Sequence, residues 1–222
     1  MIEVEASLIP DWAAERRGMV DTQLRRRGIR DERVLRAMGE IPREEFVPAE
    51  LRVMSYRDDP VPLGHGQTIS QPYMTALMAQ ELELTGAETV LEVGAGSGYA
   101  AAVLGALARV VISIDIVPAM AQLARENLRR TARDANVTVL EGDGSLGCAG
   151  WAPFDAISVA AGAPDVPAAL LDQLRDPGRM VIPVGPREDQ ELRVVRKAGG
   201  RVESRISTLC RFVPLRGGEG WS

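Results

Sequence analysis

Several residue types are scarce in this 222-residue chain, and each scarcity excludes a class of protein. Two cysteines, Cys148 and Cys210, cannot make the disulfide framework of a small secreted domain. With a single histidine, His65, they do not supply the about four ligands of a structural zinc site. Aromatic residues make up only 4% of the chain, so that we expect a core of alanine, valine, leucine and isoleucine.

Long apolar runs and an excess of basic charge are also lacking. No run approaches the ~20 apolar residues that a membrane-spanning helix needs. Residues 1–18 carry Glu3 and Glu5 and do not resemble a signal peptide. The net charge of −5 argues against a nucleic-acid partner, and the arginine-rich stretches 25–27 and 125–133 are interpreted as solvated helix faces. We therefore predict a cytoplasmic protein that binds no membrane, nucleic acid or metal.

The chain changes its pattern near residue 85. Before it, apolar residues at helical spacing predict helices, with a proline- and glycine-rich loop over 46–66. After it, short apolar runs alternate with helical stretches, which is typical of a parallel sheet covered by helices on both faces. Two last runs flank Gly199 and Gly200 and predict an antiparallel hairpin at one edge. The predicted helices include 10–30, 31–38 and 72–83, and the predicted strands include 90–93, 110–115, 137–140, 154–159 and 180–184.

The predicted architecture is an α/β, Rossmann-like fold: a mostly parallel, doubly wound sheet with an N-terminal helical layer and a C-terminal antiparallel edge. We expect one domain over 1–222. Within it, residues 1–85 form a helical region on the substrate side, and residues 86–222 form the sheet that binds a cofactor. In such sheets, ligands bind at the carboxyl ends of the strands.

The first strand of this sheet runs into a glycine-rich loop, EVGAGSG, at 92–98. Glycines let the backbone turn tightly and approach a ligand. The dinucleotide fingerprint G-x-G-x-x-G would place its third glycine at position 99, where the chain has Tyr99; here it falls at Gly98. The spacing favours S-adenosylmethionine over NAD, while a strand–helix turn without any ligand stays open as an alternative.

Two acidic positions follow the next strands of the sheet. Asp115 ends the second strand, where a carboxylate can accept hydrogen bonds from both ribose hydroxyls of either cofactor. Asp143 follows the third strand, where a carboxylate can accept a hydrogen bond from an adenine amino group. A simple Asp-Gly turn at Asp143 and Gly144 is the alternative. Taken together with the loop, the two positions favour a bound nucleoside.

Residues 64–74, GHGQTISQPYM, closely resemble the GxGQTIS-x-P-x-M signature of protein-L-isoaspartate O-methyltransferases. Further matching segments follow in the same order through nearly the whole chain. They are 23–29, 41–47, 90–99, 142–144, 152–157 and 211–215.

The resemblance implies S-adenosylmethionine-dependent methylation of the α-carboxylate of L-isoaspartyl residues in damaged proteins and peptides. The ester then closes to a succinimide, which starts repair. It also implies a methyltransferase sheet with rearranged last strands, and we expect a monomer. The site residues that it implies are Ser70 for catalysis; Gln67, Thr68, Ile69, Glu92, Gly94, Ala95, Gly96, Gly98, Asp115, Ile116, Asp143 and Gly144 for the donor; and Val61, Pro62, Leu63, Val213 and Leu215 for the substrate.

Some positions depart from the family's commonest pattern. Asp115 stands where the family often has glutamate, which can accept the same bonds. Ala160 stands where many members have threonine, and residues 216–222 also differ. Ser70 has three open interpretations: a hydrogen-bond donor that orients the substrate, an N-cap for the helix that Pro72 opens, or both roles together. His65, between two glycines, is interpreted as an ordinary loop residue.

A carboxylate nucleophile needs no strong general base because it is already ionised at neutral pH. Methylation of a carboxylate is therefore compatible with a chain that has one histidine. Three other functions stay open. One is a relative that methylates aspartate in a dedicated peptide and forms an aspartimide; another is a methyltransferase acting on RNA or a small molecule; the third is a non-catalytic binding protein that kept the fold.

Overall fold

The computed structural model describes residues 10–221, so that the first half of the segment 1–18, which does not resemble a signal peptide, lies outside it. The helix predicted over 10–30 is divided into three successive segments, which are α-helical, π-helical and 3-10 helical. The second helix begins at its predicted cap, because Asp31 Oδ1 accepts a hydrogen bond from the Arg33 N–H at 2.8 Å. The elements are α1 (Trp12–Gly18), a π-helical turn (Met19–Leu24), a 3-10 turn (Arg25–Arg27), α2 (Glu32–Glu40) and the 3-10 turns Arg43–Phe46 and Ala49–Met54.

The stretch predicted as a loop over 46–66 is more ordered than expected. It contains a 3-10 turn and strand β1 (Val61–Gly64), which pairs antiparallel with β2 (Gln67–Ile69). Pro62 is tolerated in β1 because both strands of a two-stranded ribbon have a free edge. Helix α3 (Pro72–Glu81) follows directly, so that the hairpin leads straight into the next predicted helix.

The main sheet has seven strands in the order β5-β4-β3-β6-β7-β8-β9. The first five strands in this order are parallel, and β8 pairs antiparallel with both β7 and β9, which confirms the predicted architecture. The closing hairpin β8–β9 turns at the predicted glycines. The strands are β3 (Thr89–Val93), β4 (Val110–Asp115), β5 (Val137–Glu141), β6 (Phe154–Val159), β7 (Leu174–Val184), β8 (Gln190–Ala198) and β9 (Arg201–Cys210).

Alternating side chains of the strands feed two cores, one on each face of the sheet. Val90 and Val111 pack with the N-terminal helices, whereas Leu91 and Ile112 pack on the opposite face. Within residues 10–221, no helix is both long and apolar enough to cross a bilayer. The remaining elements are α4 (Tyr99–Leu107), α5 (Pro118–Arg130), α6 (Ala168–Gln173) and the 3-10 turn Gly144–Leu146.

The carboxyl ends of the parallel strands lie side by side at one edge of the sheet. Val93 at the end of β3 pairs in register with Ile114 of β4 and Val159 of β6. Strand order reverses at β3, because the chain first adds β4 and β5 on one side and then β6 and β7 on the other. Such a switch point opens a crevice for a ligand.

Candidate active site

A cavity of about 320 Å³ lies at this switch point. The volume falls within the range of small-molecule sites. Three parts of the chain form most of its wall: the strand ends with the glycine loop, the segment 67–75 and the segment 208–216. Arg27 and Pro60 complete it. The predicted site residues in its wall are Gln67, Thr68, Ile69, Ser70, Gly94, Ala95, Gly96, Asp115, Ile116, Gly144, Val213 and Leu215. Those outside its wall are Val61, Pro62, Leu63, Glu92, Gly98 and Asp143.

The first two glycines of the loop have the backbone geometry that a close approach requires. Gly94 has φ +95° and Gly96 φ +52°, both in the left-handed region that side chains disfavour. A Cβ added to Gly94 would lie 3.5 Å from the Ala160 Cβ, so that the loop passes close to the end of the neighbouring strand β6. The departure at Ala160 therefore lies in the cavity, next to the loop.

Asp115 holds the loop and faces the cavity at the same time. Its Oδ2 accepts a hydrogen bond from the Gly96 N–H at 2.9 Å, and its Oδ1 accepts one from the Val117 N–H at 2.9 Å. A carboxylate has about four lone-pair sites, so that each oxygen can accept one more bond. The side chain thus fits a ligand with two neighbouring hydroxyls.

The third glycine of the loop faces helix α5 and not the cavity. Gly98 has φ +85°, and a Cβ there would lie 3.1 Å from the Cα and carbonyl oxygen of Ala124. Close packing of α4 against α5 is therefore sufficient to explain a glycine at this position. Contact between Gly98 and the donor stays a prediction.

Glu92 lies fully buried beneath the loop. Burial raises the pKa of its carboxyl to about 8, against the opposing effect of the hydrogen bond from Ser113 Oγ to Oε2, and the nearby charge of Asp115 adds to the rise. Its Oε1 has no hydrogen-bond partner in the part of the chain that the structure describes. Glu92 is thus a protonated acid near neutral pH whose second oxygen is buried and unpaired.

The carboxylate of Asp143 is already engaged by the protein. Oδ1 accepts bonds from the Ser145 N–H at 2.9 Å and from Ser145 Oγ at 2.6 Å, and Oδ2 accepts one from the Gly218 N–H at 2.7 Å. Partial burial works to raise the pKa of Asp143, but these donors outweigh it and the pKa is lowered. Gly144 lines the cavity beside it, and the adenine contact of Asp143 stays a prediction.

Ser70 lies in the cavity wall, but the prediction that it caps helix α3 is wrong. The N-cap is Gln71, with Pro72 as the first helical residue. The reason is that a residue before proline is driven out of the helical conformation, so that Gln71 stays extended and takes the cap position. No hydrogen bond within residues 10–221 involves Ser70 Oγ, which leaves it free for a ligand.

The backbone near Val213 contacts the sheet edge. Gly162 N–H donates to the Val213 carbonyl oxygen, and Leu215 N–H donates to the Gly162 carbonyl oxygen, both at 2.8 Å. The Leu215 N–H is therefore already engaged by β-type pairing, and contact of Leu215 with the substrate stays a prediction. Pro214 has no N–H, which leaves the Val213 N–H as the backbone donor of this segment.

Other cavity residues carry no sequence signal. The Arg27 guanidinium stacks 3.5 Å above the Tyr73 ring centre and forms an ion pair with Asp58. Arg27 is thus part of the cavity wall and not just a solvated helix face. Cys210, at the end of β9, also lines the cavity, and burial raises the pKa of its thiol to about 11. These residues meet only through tertiary packing.

The sheet order, the glycine loop and the cavity at the strand ends define a Rossmann-like methyltransferase. The family model for protein-L-isoaspartate(D-aspartate) O-methyltransferase matches residues 15–220. The chain belongs to this family.

Similar proteins have names that agree with this family. A protein-L-isoaspartate O-methyltransferase of Koribacter versatilis is 54% identical over 211 residues, covering 95% of each chain. One of Marinobacter nauticus is 55% identical over 213 residues, covering 95% of this chain and 97% of the relative. A solved protein-L-isoaspartate O-methyltransferase superposes with a TM-score of 0.79 at 27% identity, and the chain covers 66% of its length. A Plasmodium falciparum beta-aspartate methyltransferase, solved with S-adenosyl-L-homocysteine, gives a TM-score of 0.76 at 27% identity over 90% of this chain and 98% of that one.

Proposed function

We propose that the chain transfers a methyl group from S-adenosylmethionine to the α-carboxylate of L-isoaspartyl residues in damaged proteins and peptides. The observation that carries the proposal is one cavity in which Asp115 and the glycine loop face Ser70, within a chain of this family. The resulting ester closes to a succinimide, which begins the return to a normal aspartyl linkage.

The cavity fits the donor. The two positive-φ glycines, Gly94 and Gly96, leave space that a side chain would fill, and Asp115 can accept two ribose hydroxyls. We assign the methionine part to the loop and to Gln67, Thr68 and Ile69, and the nucleoside to Asp115, Ile116 and Gly144. Glu92 supports the loop from below.

When bound, S-adenosylmethionine supplies a methyl group on a sulfonium cation. The acceptor carboxylate is ionised at neutral pH, so that the protein does not have to remove a proton. Ser70 Oγ donates to one carboxylate oxygen and directs the other toward the methyl group, and the Val213 N–H holds the acceptor backbone. Positioning of this kind can supply on the order of 7–11 kcal/mol.

Matched peptides that differ only in isoaspartyl or aspartyl linkage test the proposal. Incubated with labelled donor, the isoaspartyl peptide is expected to take up label and its aspartyl twin is not. Label in the aspartyl peptide would instead support an aspartimide-forming enzyme, and label in neither would contradict peptide methylation.

Several broader properties belong to the same proposal. The chain acts as one domain over 1–222, with substrate handled by 1–85 and donor by 86–222, as a cytoplasmic monomer that binds no nucleic acid or metal. Within residues 10–221, no group of three histidine, cysteine or acidic side chains is placed to hold a metal ion. Sedimentation of the purified protein tests the monomer.

A further inference from the structure

Arg43 is a buried cation just behind the cavity wall. Its side chain is completely inaccessible to solvent, at 0% exposure. The Nε donates to the Ser55 carbonyl oxygen at 2.7 Å and the Nη2 to the Ser70 carbonyl oxygen at 2.8 Å. Its Nη1 has no partner within residues 10–221, and none of the ion pairs found there includes it.

This environment is unfavourable for a structural arginine. Burying a charge without an opposite charge is costly, and fold stability alone favours an apolar side chain at such a position. What Arg43 gains is two charge-assisted hydrogen bonds to backbone carbonyls and a place over the Tyr99 ring, with its guanidinium carbon 4.9 Å from the ring centre. The contacts themselves therefore indicate what the residue does.

The contacts of Arg43 with Ser55, Ser70 and Tyr99 connect the hairpin side of the cavity to the side of the glycine loop. Ser55 and Ser70 stand at the two ends of the chain segment that contains the β1–β2 hairpin. The Arg43 guanidinium therefore connects the two ends of this segment through its hydrogen bonds. Tyr99 is the first residue of α4, directly after the glycine loop, and lines the cavity. Arg43 thus ties the hairpin and Ser70 to the end of the donor loop.

We propose that Arg43 is a positioning residue for methyl transfer: its planar guanidinium holds the backbone of Ser70 at a fixed place relative to the donor loop. The inference rests on the proposed function, because it takes Ser70 as the residue that orients the acceptor. Lysine keeps the charge but cannot reproduce the planar fork that spans both carbonyls. A small displacement of a positioning group is sufficient to slow such a reaction.

A double-mutant cycle between Arg43→Lys and Ser70→Ala tests the proposal. We expect Arg43→Lys to lower kcat about tenfold in the wild-type background and less than about twofold in the Ser70→Ala background, because the effect passes through Ser70. The Kd for S-adenosylhomocysteine should stay within about twofold. An equal loss of kcat in both backgrounds, or none in either, would overturn the proposal.

Glu44→Gln is the matched control. Glu44 lies in the same buried 3-10 turn, but it accepts hydrogen bonds from Arg16 and Tyr56, and no hydrogen bond within residues 10–221 joins it to Ser70. Its effect on kcat should be the same in both backgrounds. Amide hydrogen exchange over 67–71 gives a second measurement that needs no activity: Arg43→Lys should accelerate it and Glu44→Gln should not. Unchanged exchange would contradict the Arg43 role, whereas peptides methylated without regard to linkage would contradict the proposed function alone.

Discussion

The donor side and the acceptor side of the cavity are built in different ways. On the donor side, consecutive residues after β3 and single residues after β4 and β5 meet because parallel strands end at one edge. On the acceptor side, Arg27, residues 70–75 and the segment 208–216 come from three distant parts of the chain. Donor-side geometry is therefore local, whereas acceptor-side geometry depends on packing between elements.

This difference predicts two separable kinds of damage. Changes on the donor side should weaken donor binding, because the contacts are set by the strand ends themselves. Changes on the acceptor side should lower kcat and leave donor affinity unchanged. Changes at buried residues that contact neither the ligands nor Ser70 should alter stability alone.

The largest effect on donor binding is expected for Asp115→Ala. It removes a charged acceptor for the ribose hydroxyls and the support of the Gly96 N–H, which is worth about 3 kcal/mol or on the order of 100-fold in Kd. Calorimetry with S-adenosylhomocysteine measures it. Glu141→Gln is the control, since Glu141 pairs in register with Asp115 but lies outside the cavity. Equal losses of donor affinity in both variants would contradict a specific role of Asp115 in donor binding.

Ser70→Ala should act on the other side. Losing one hydrogen bond to a charged acceptor costs about 2 kcal/mol, so that kcat at saturating donor should fall about 30-fold. Donor Kd should not change. Ser207→Ala, which removes a hydroxyl bonded to Glu81 away from the cavity, should leave kcat unchanged. Full activity of the Ser70 variant would rule out the orienting role.

Gly98→Ala should destabilise the fold by about 1–3 kcal/mol, because it combines a left-handed backbone with a Cβ 3.1 Å from Ala124. Donor Kd, measured where the variant is folded, should stay within twofold. Gly18→Ala is the opposite case, a helical glycine with nothing within 4 Å of an added Cβ, and should stabilise by about 0.5–1 kcal/mol. Weaker donor binding by Gly98→Ala would support the predicted contact between this glycine and the donor.

Glu92→Gln should change the pH dependence of stability. Burial raises the pKa of Glu92 to about 8 in the folded state, above its usual 4.5, so that the folded protein keeps a proton that the unfolded chain has lost. Its contribution is fully present below about pH 4.5 and disappears as the pH rises through 8. The wild type should lose up to about 1.4 kcal/mol relative to Glu92→Gln for each pH unit in that interval. If the urea midpoints of the wild type and of Glu92→Gln changed with pH in the same way, the raised pKa of Glu92 would be contradicted.

Sequence patterns predicted the donor side well, because it obeys local rules. Strand periodicity gave the parallel sheet, its antiparallel edge and the switch point, and the glycine spacing placed the loop. The same reasoning could not tell that Gly98 packs closely against Ala124, because Ala124 lies in another helix. Nor could it show that the Gly218 N–H already donates a hydrogen bond to the Asp143 carboxylate.

The acceptor side was named by family resemblance and not by pattern. The β1–β2 hairpin was missed because its prolines and glycines are typical of loops, and the cap position was assigned one residue early, at Ser70. Arg27 and Arg43 were not assigned to the site at all. An arginine's role depends on what packs around it, which no local spacing shows.

The most direct test is a competition in which equimolar isoaspartyl and aspartyl forms of one peptide share the same enzyme and donor. Mass spectrometry follows the methyl ester and the succinimide of each form. We expect only the isoaspartyl form to be esterified and converted, with Ser70→Ala slowing this conversion and Glu141→Gln leaving it unchanged. Equal esterification of both forms, or of neither, would contradict the assignment.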